Sequence, residues 1–330
     1  STATNQSNFG YSNFPRSLAQ KLNINKDIFE LYSGMGGNAP QVLIQEVSKR
    51  IYNNEVQCAL ISGGEVLQTM ISKLKAGNPL DWEDHPGGSP EIVGINDEGF
   101  SSDEKKHFMN LPSNVYPIFA NAIRSEKSQS SKEHLKECSE LFSKFSKVAE
   151  KNSNSWFPKY RSPEEIEKVT DSNRLVGFPY TKYLNSMIRV NMASSMIIMS
   201  EKLSKELNIS QKKKIYLHGS CILNDIWNVS KRPKLIESPA IKKCGEEVLS
   251  QAQVSMDSIS YFDIYSCFPS AVQIAMKELS LNLDDNRPLT VTGGLPYFGG
   301  PGNAYTMFSS SEMVRKLRKN QNKYGMITAN

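Results

Sequence analysis

Thr292-Gly293-Gly294-Leu295-Pro296-Tyr297-Phe298-Gly299-Gly300-Pro301-Gly302 is the stretch that decides how the chain reads. Before it, Leu289-Thr290-Val291-Thr292 has the β-formers of a strand, and after it residues 304–317 carry apolar side chains at helical spacing. Two shorter runs, Ser33-Gly34-Met35-Gly36-Gly37-Asn38 and Ser62-Gly63-Gly64-Glu65, also adjoin apolar segments. Glycine lets a backbone turn sharply and approach a ligand closely, so such turns between strand and helix are where α/β proteins build sites. A site made mostly of backbone points to a bound cofactor arm or an oxyanion.

Working outward from these turns, the alternation of strand and helix recurs. Residues 1–32 read as a polar lead and a short helix with Pro15 in its first turn and Leu18 and Leu22 following. Pro40 opens a second helix, with Val42, Leu43, Ile44, Val47 and Ile51 on one face. Val56-Gln57-Cys58-Ala59-Leu60-Ile61 reads as a buried strand ending at Gly63-Gly64. Later come strands at 187–200, 214–219 and 259–265, and helices at 201–207, 238–252 and 269–281. Val272, Ile274, Ala275 and Leu279 of the last helix face inward, and residues 325–329 begin a closing strand. Between 77 and 179, prolines punctuate polar helices, notably at 131–152. The class is α/β: an N-terminal half at 1–76, an inserted, mostly helical loop domain at 77–185, and the rest of the core with the C-terminal half at 186–330.

The 330 residues, 38% hydrophobic and 22% charged, suffice for one large layered core or two domains. Net charge is +5, and the basic runs at 212–214 and 316–323 lack the aromatic interleaving of a nucleic-acid reader; a mild positive excess suits an anionic ligand equally well. Cys58, Cys138, Cys221, Cys244 and Cys267 are odd in number and widely spaced, with neither a disulfide framework nor a metal pattern, which favours a reducing, cytoplasmic setting. No segment has the length and apolarity to span a bilayer.

In their shared order and spacing these pieces resemble the thiolase superfamily, in particular thiolase-like proteins related to sterol-carrier-protein thiolases. The helix after Gly36-Gly37-Asn38, followed by Ala59-Leu60-Ile61-Ser62-Gly63-Gly64-Glu65, is similar to the nucleophile helix and the next strand. Asn191-Met192-Ala193-Ser194 is similar to the family's Asn-Asp-Gly-Ala segment, and Tyr265-Ser266-Cys267-Phe268 stands where the family has His-Asp-Cys-Phe or Asn-Glu-Ala-Phe. The turn from Gly293-Gly294 to Gly299-Gly300-Pro301-Gly302 resembles the one that ends in Gly-His-Pro. The resemblance covers almost the whole chain. It implies a layered αβαβα fold of two similar halves, a loop domain that binds coenzyme A, and Claisen-type acyl transfer.

Against that pattern the reacting side chains are missing. The family's chemistry needs a cysteine at a helix N-terminus, where the helix dipole lowers the thiol pKa. Gly36 and Gly37 occupy those positions here. The family's histidine falls at Gly300, the Asn or His of the other motif at Tyr265, and the second cysteine at Asn330; Cys267 and Phe268 remain. The family's first and last strands also have no counterpart in the sequence.

The resemblance therefore implies a protein of acyl-CoA or lipid metabolism that binds coenzyme A or acyl-CoA thioesters as small-molecule ligands, without ordinary thiolase activity and without a metal. Backbone donors are expected at Gly37, Asn38, Gly300 and Gly302, and a pocket lined by Tyr265, Phe268, Tyr297, Phe298 and His218. Asn38 and Asn303 are expected as helix N-caps. One alternative is an active acyltransferase of acetyl-CoA acetyltransferase type, working through Cys267. Another is a structural subunit without ligand, its pocket filled by Tyr265, Tyr297 and Phe298. Whether the chain forms a homodimer or joins a partner stays open.

Overall fold

Prolines at first helical turns and serine caps start most helices, as local chemistry dictates. The computed structural model describes residues 11–24, 27–94, 98–282 and 285–330; the polar lead at 1–10 lies outside them. Helix α1 (Phe14–Lys21) begins at Asn13, whose side chain accepts from the Arg16 N–H. Strand β1 (Leu31–Ser33) leads to α2 (Ala39–Tyr52), with Pro40 in its first turn, and then to β2 (Cys58–Glu65) and α3 (Leu67–Lys75).

Within the stretch read as an insertion, β3 (Glu91–Val93) pairs in parallel with β1. Four helices follow: α4 (Ser102–Lys106), α5 (Pro112–Glu126), α6 (Ser131–Glu150) and α7 (Pro163–Glu167). α6 starts in a reciprocal cap between Ser130 and Glu133 and buries Cys138, Leu141, Phe142, Phe145 and Ala149 on one face. The small strands β4 (Leu175–Gly177) and β5 (Tyr180–Thr181) close this region.

β6 (Met192–Met199) pairs antiparallel with β2 along its whole length. Gly63-Gly64 is therefore ladder, not the turn expected from sequence. A Cβ at Gly64 would stand 3.1 Å from the Ala193 Cβ and one at Gly63 3.1 Å from the Ala304 Cβ, so both glycines serve close packing. Nor is β2 fully buried: Ile61 packs with Ile44, Val47 and Met307, whereas Leu60 on the other face is exposed.

The last third holds α8 (Glu201–Glu206), α9 (Pro239–Ala252), β7 (Ile259–Asp263), α10 (Pro269–Glu278), α11 (Tyr305–Lys319) and β8 (Tyr324–Ile327), which lies parallel to β7. Val272, Ile274, Ala275 and Leu279 are buried as expected. Two expected strands are absent. Residues 214–219 run irregularly, with Tyr216 and Leu217 exposed and His218 against Tyr324 of β8. Residues 289–292 form no ladder because the Val291 and Thr292 N–H groups donate to the Asp263 carboxylate instead.

The main core gathers Phe142, Phe145, Phe262, Ile264, Val272 and Phe298. Each such side chain contributes about 1.5–3 kcal/mol when fully buried. The Gly-rich turn runs into this core against α6. A Cβ on Gly293, whose φ is +116°, would stand 2.6 Å from the Ala149 N, so only glycine fits there.

Candidate functional site

Asp263, at the end of β7, positions the site. Its carboxylate is buried and accepts from the Thr290, Thr292, Tyr305 and Ser309 hydroxyls as well as from the Val291 and Thr292 N–H groups. One side chain thus ties β7, the Gly-rich turn and α11 together. From there the chain runs through Tyr265 and Cys267 to Pro269 at the start of α10. The Tyr265 N–H donates to the Thr328 hydroxyl just past β8 (2.9 Å), and its ring meets Tyr305 edge-on.

The second wall is the N-terminus of α2, clamped to α11. The Gly36 N–H donates to the Asn303 side chain (3.1 Å), the Thr306 hydroxyl to the Gly37 carbonyl (3.1 Å), and Gln41 to the Thr306 carbonyl and the Ser310 hydroxyl. Neither asparagine caps as expected. Asn38 makes no side-chain cap bond, and the Asn303 amide reaches across to Gly36 rather than serving its own helix. Among the described residues the Gly37 and Asn38 N–H groups have no acceptor. They are two donors at the positive end of a 14-residue helix.

Gly37 faces Tyr265. A Cβ at Gly37 would overlap the Tyr265 hydroxyl and the Asn330 carbonyl oxygen and stand 2.6 Å from the Tyr265 Cζ. The space a side chain at position 37 would use is already filled. Beyond it the Tyr116 hydroxyl lies against the Cys267 thiol and the Asn330 side chain. Tyr116 escaped sequence reasoning because it sits in α5, far along the chain and in no motif.

Burial favours the neutral forms of Cys267, Tyr265 and Tyr116. Burial pushes the Cys267 thiol up to about 12, only partly offset by the Tyr116 hydroxyl and nearby N–H groups. Burial likewise raises the Tyr265 phenol, with the neighbouring Cys267 adding to it, and holds Tyr116 well above its ordinary range. The cluster offers hydrogen-bond donors but neither a thiolate nor a general base.

Other expected site residues are placed elsewhere. The Gly300 N–H is taken by the Met187 carbonyl (3.0 Å), so it is not a free oxyanion donor. Gly302 opens a 3-10 turn at 302–304, and its N–H has no acceptor among the described residues. Tyr297 and Phe298 are core side chains against Phe142, Tyr305 and Phe308, not pocket lining, and the buried Tyr297 hydroxyl has no hydrogen-bond partner among the described residues. Phe268 is buried and stacked on Tyr116, with ring centroids 4.5 Å apart. His218 is exposed and meets Tyr324 edge-on. Tyr324 pairs with Ile259 at the start of β7, whereas Tyr265 follows its end, so His218 does not line this site.

A second cysteine pairs with a histidine, Cys138 with His134 at 3.5 Å on α6. Both are fully buried, and burial raises the thiol and lowers the imidazole, so the pair is neutral and inert. Among the described residues no group of acidic, histidine or cysteine side chains could hold a metal ion. No described helix is long and apolar enough to cross a membrane.

No family model matches the chain, and no curated protein matches it. Solved structures do. A monomeric SCP2-thiolase like protein type 1 (STLP1) from Mycobacterium smegmatis is 29% identical with a TM-score of 0.79, over 97% of this chain and 64% of that one. The chain thus spans less than two thirds of that protein's length. An acetyl-CoA acetyltransferase from Syntrophomonas wolfei (14% identity, TM-score 0.63, 96% of this chain and 80% of that one) shares the fold. So does the Ltp2-ChsH2(DUF35) aldolase (14% identity, TM-score 0.62, 100% and 82%). With the mixed helix and sheet layers and the near-complete coverage, these likenesses give the chain a thiolase-like fold and support a place in the thiolase superfamily beside its SCP2-thiolase-like members.

Proposed function

We propose that this protein binds coenzyme A or acyl-CoA thioesters non-covalently, in acyl-CoA or lipid metabolism, and does not catalyse thiolysis. The observation that carries this reading is the Gly37–Tyr265 contact: where a covalent nucleophile would stand there is no side chain, and a neutral phenol fills the space. The unpaired Gly37 and Asn38 N–H groups suit a thioester oxygen. Working instead through Cys267 would require a buried thiol near 12 to ionise, which leaves about one thiolate in 10⁵ at pH 7.

Isothermal titration with coenzyme A and acetyl-CoA, followed by intact mass on the same samples, tests the reading. Saturable binding of about −8 kcal/mol, or micromolar, with no mass shift is the expected result. An acyl adduct on Cys267 would overturn it in favour of the acyltransferase alternative. The full burial of Tyr297 and Phe298 favours a second reading, a structural subunit without ligand, and the absence of any binding to folded protein would put that reading first. The aldolase relative's name joins its chain to a DUF35 protein, which makes a protein partner a natural companion of this second reading.

A further inference from the structure

A cleft of about 720 Å³ opens between α6, residues 286–291 and α11. Seven cationic side chains line it against one carboxylate, Glu312, although basic and acidic residues are nearly balanced over the whole chain, 39 to 34. The charge is concentrated on two walls. Lys144, Lys147 and Lys151 lie along one face of α6 and its end, and Arg315, Lys316 and Lys319 follow on α11. Glu312 is engaged by Arg315 (2.8 Å) and by the Asn154 amide (2.8 Å). Among the described residues Lys147, Lys151 and Lys319 have no acidic partner.

The floor is partly apolar. Leu289, Val291 and Tyr261 contribute to it, and the Lys316 ammonium sits 5.2 Å above the Tyr261 ring. Arg287 is held by Asp285 and by the Met256 and Ile259 carbonyls. Like charges brought together on each wall repel, and although the helix C-termini they flank partly offset that repulsion, an anion in the cleft would relieve the rest. A concave site of this volume fits a small ligand better than a flat surface does. We infer that the cleft binds a compact polyphosphate-bearing ligand of nucleotide size, at a site separate from the Gly37–Tyr265 cluster.

Titration of the folded chain with inorganic tripolyphosphate tests this. The probe has no thiol arm, so its result does not depend on thioester binding. Saturable one-to-one binding in 50 mM NaCl, weakening about tenfold by 200 mM, is expected for charge-driven capture. K147E combined with K319E, one exposed residue from each wall, should weaken it at least tenfold. K202E combined with K212E, exposed residues outside the cleft with the same change in net charge, should leave it within twofold. No saturable binding, an equal loss in both double variants, or equally tight binding of a polyglutamate of matching charge would each overturn the assignment, the last by showing an acidic-peptide groove.

Discussion

Gly37→Ala is the sharpest perturbation of the candidate site. Its Cβ would overlap the Tyr265 hydroxyl and the Asn330 carbonyl and stand 2.6 Å from the Tyr265 Cζ. An overlap this deep puts the overpacking cost in the upper half of its usual range, about 2–3 kcal/mol. Gly37 does not have positive φ, so the substitution also restricts the unfolded chain and recovers about 0.4–1 kcal/mol. The net loss is about 1–2.5 kcal/mol. Unfolding entropy near 2.1 cal/mol/K per residue makes each kcal/mol worth roughly 1.4 °C in a chain of this length, so Tm should fall by about 1.5–3.5 °C. In a Tyr265→Leu background, which removes both Cζ and hydroxyl, the same substitution should be neutral or stabilising. Differential scanning calorimetry of the four proteins gives the coupling directly. If Gly37→Ala is harmless beside Tyr265, or the coupling is under about 0.5 kcal/mol, the filled-pocket account of this site is wrong.

Asp263→Ala should be among the most damaging single changes, above about 4 kcal/mol, because it strands two N–H groups and four hydroxyls; Asp263→Asn should cost less, since its amide oxygen can serve Val291 and Thr292 while hydroxyls turn. Equal Tm for the two variants would contradict this. Timed iodoacetamide labelling read by peptide mass should modify exposed Cys58 well before buried Cys267, and comparable rates would show that the Cys267 thiol is not held protonated. Acid should weaken the contact between α4 and residues 228–230. There, burial opposes ionisation of Glu104, but the Ser101 and Ser230 N–H groups and the Asn228 amide outweigh it and hold the carboxyl at about 2. Because that lies below the unfolded value near 4.3, its stabilisation is present above that pH and is lost as pH falls toward 2. Glu104→Gln should remove about 1–2 kcal/mol of it at pH 7 and flatten the acid limb of a Tm–pH curve; an unchanged curve would refute the role.

The parts of the fold that were legible in the sequence are those set by local chemistry. Pro15, Pro40 and Ser238 mark helix starts because a first-turn proline or a serine cap acts within four residues, and the inward face of α10 follows from spacing alone. What failed was decided by distant partners. Leu289-Thr290-Val291-Thr292 has the composition of a strand, yet a carboxylate from β7 takes its N–H groups. Gly63-Gly64 has the look of a turn, yet Ala193 and Ala304 require glycines inside a ladder. At the site, the missing nucleophile was visible in Gly36-Gly37, and Tyr265 stood out at its motif position. That the two touch, and that Tyr116 completes the cluster, depends on packing between segments far apart in the chain.

Under the proposed reading, that contact changes what the absence of a side chain at 37 means. A cysteine replaced by glycine in an otherwise unchanged site would leave a cavity, and a single reverse substitution could refill it. Here positions 37 and 265 form one unit: a small residue at 37 permits a large one at 265, and the Asn330 carbonyl closes against Gly37. Gly300 is less confined: a Cβ there would stand 3.3 Å from the Ser186 Cβ and 3.4 Å from the Met187 carbonyl oxygen, close to ordinary contact. A cysteine at 37 would need both Tyr265 and the Asn330 carbonyl to move, so that step meets a packing obstacle before any chemistry begins. The groups that remain are neutral hydroxyls, a protonated thiol and two free N–H groups. Under the proposed reading, these can hold a thioester by its oxygen and give it no electrons to react with.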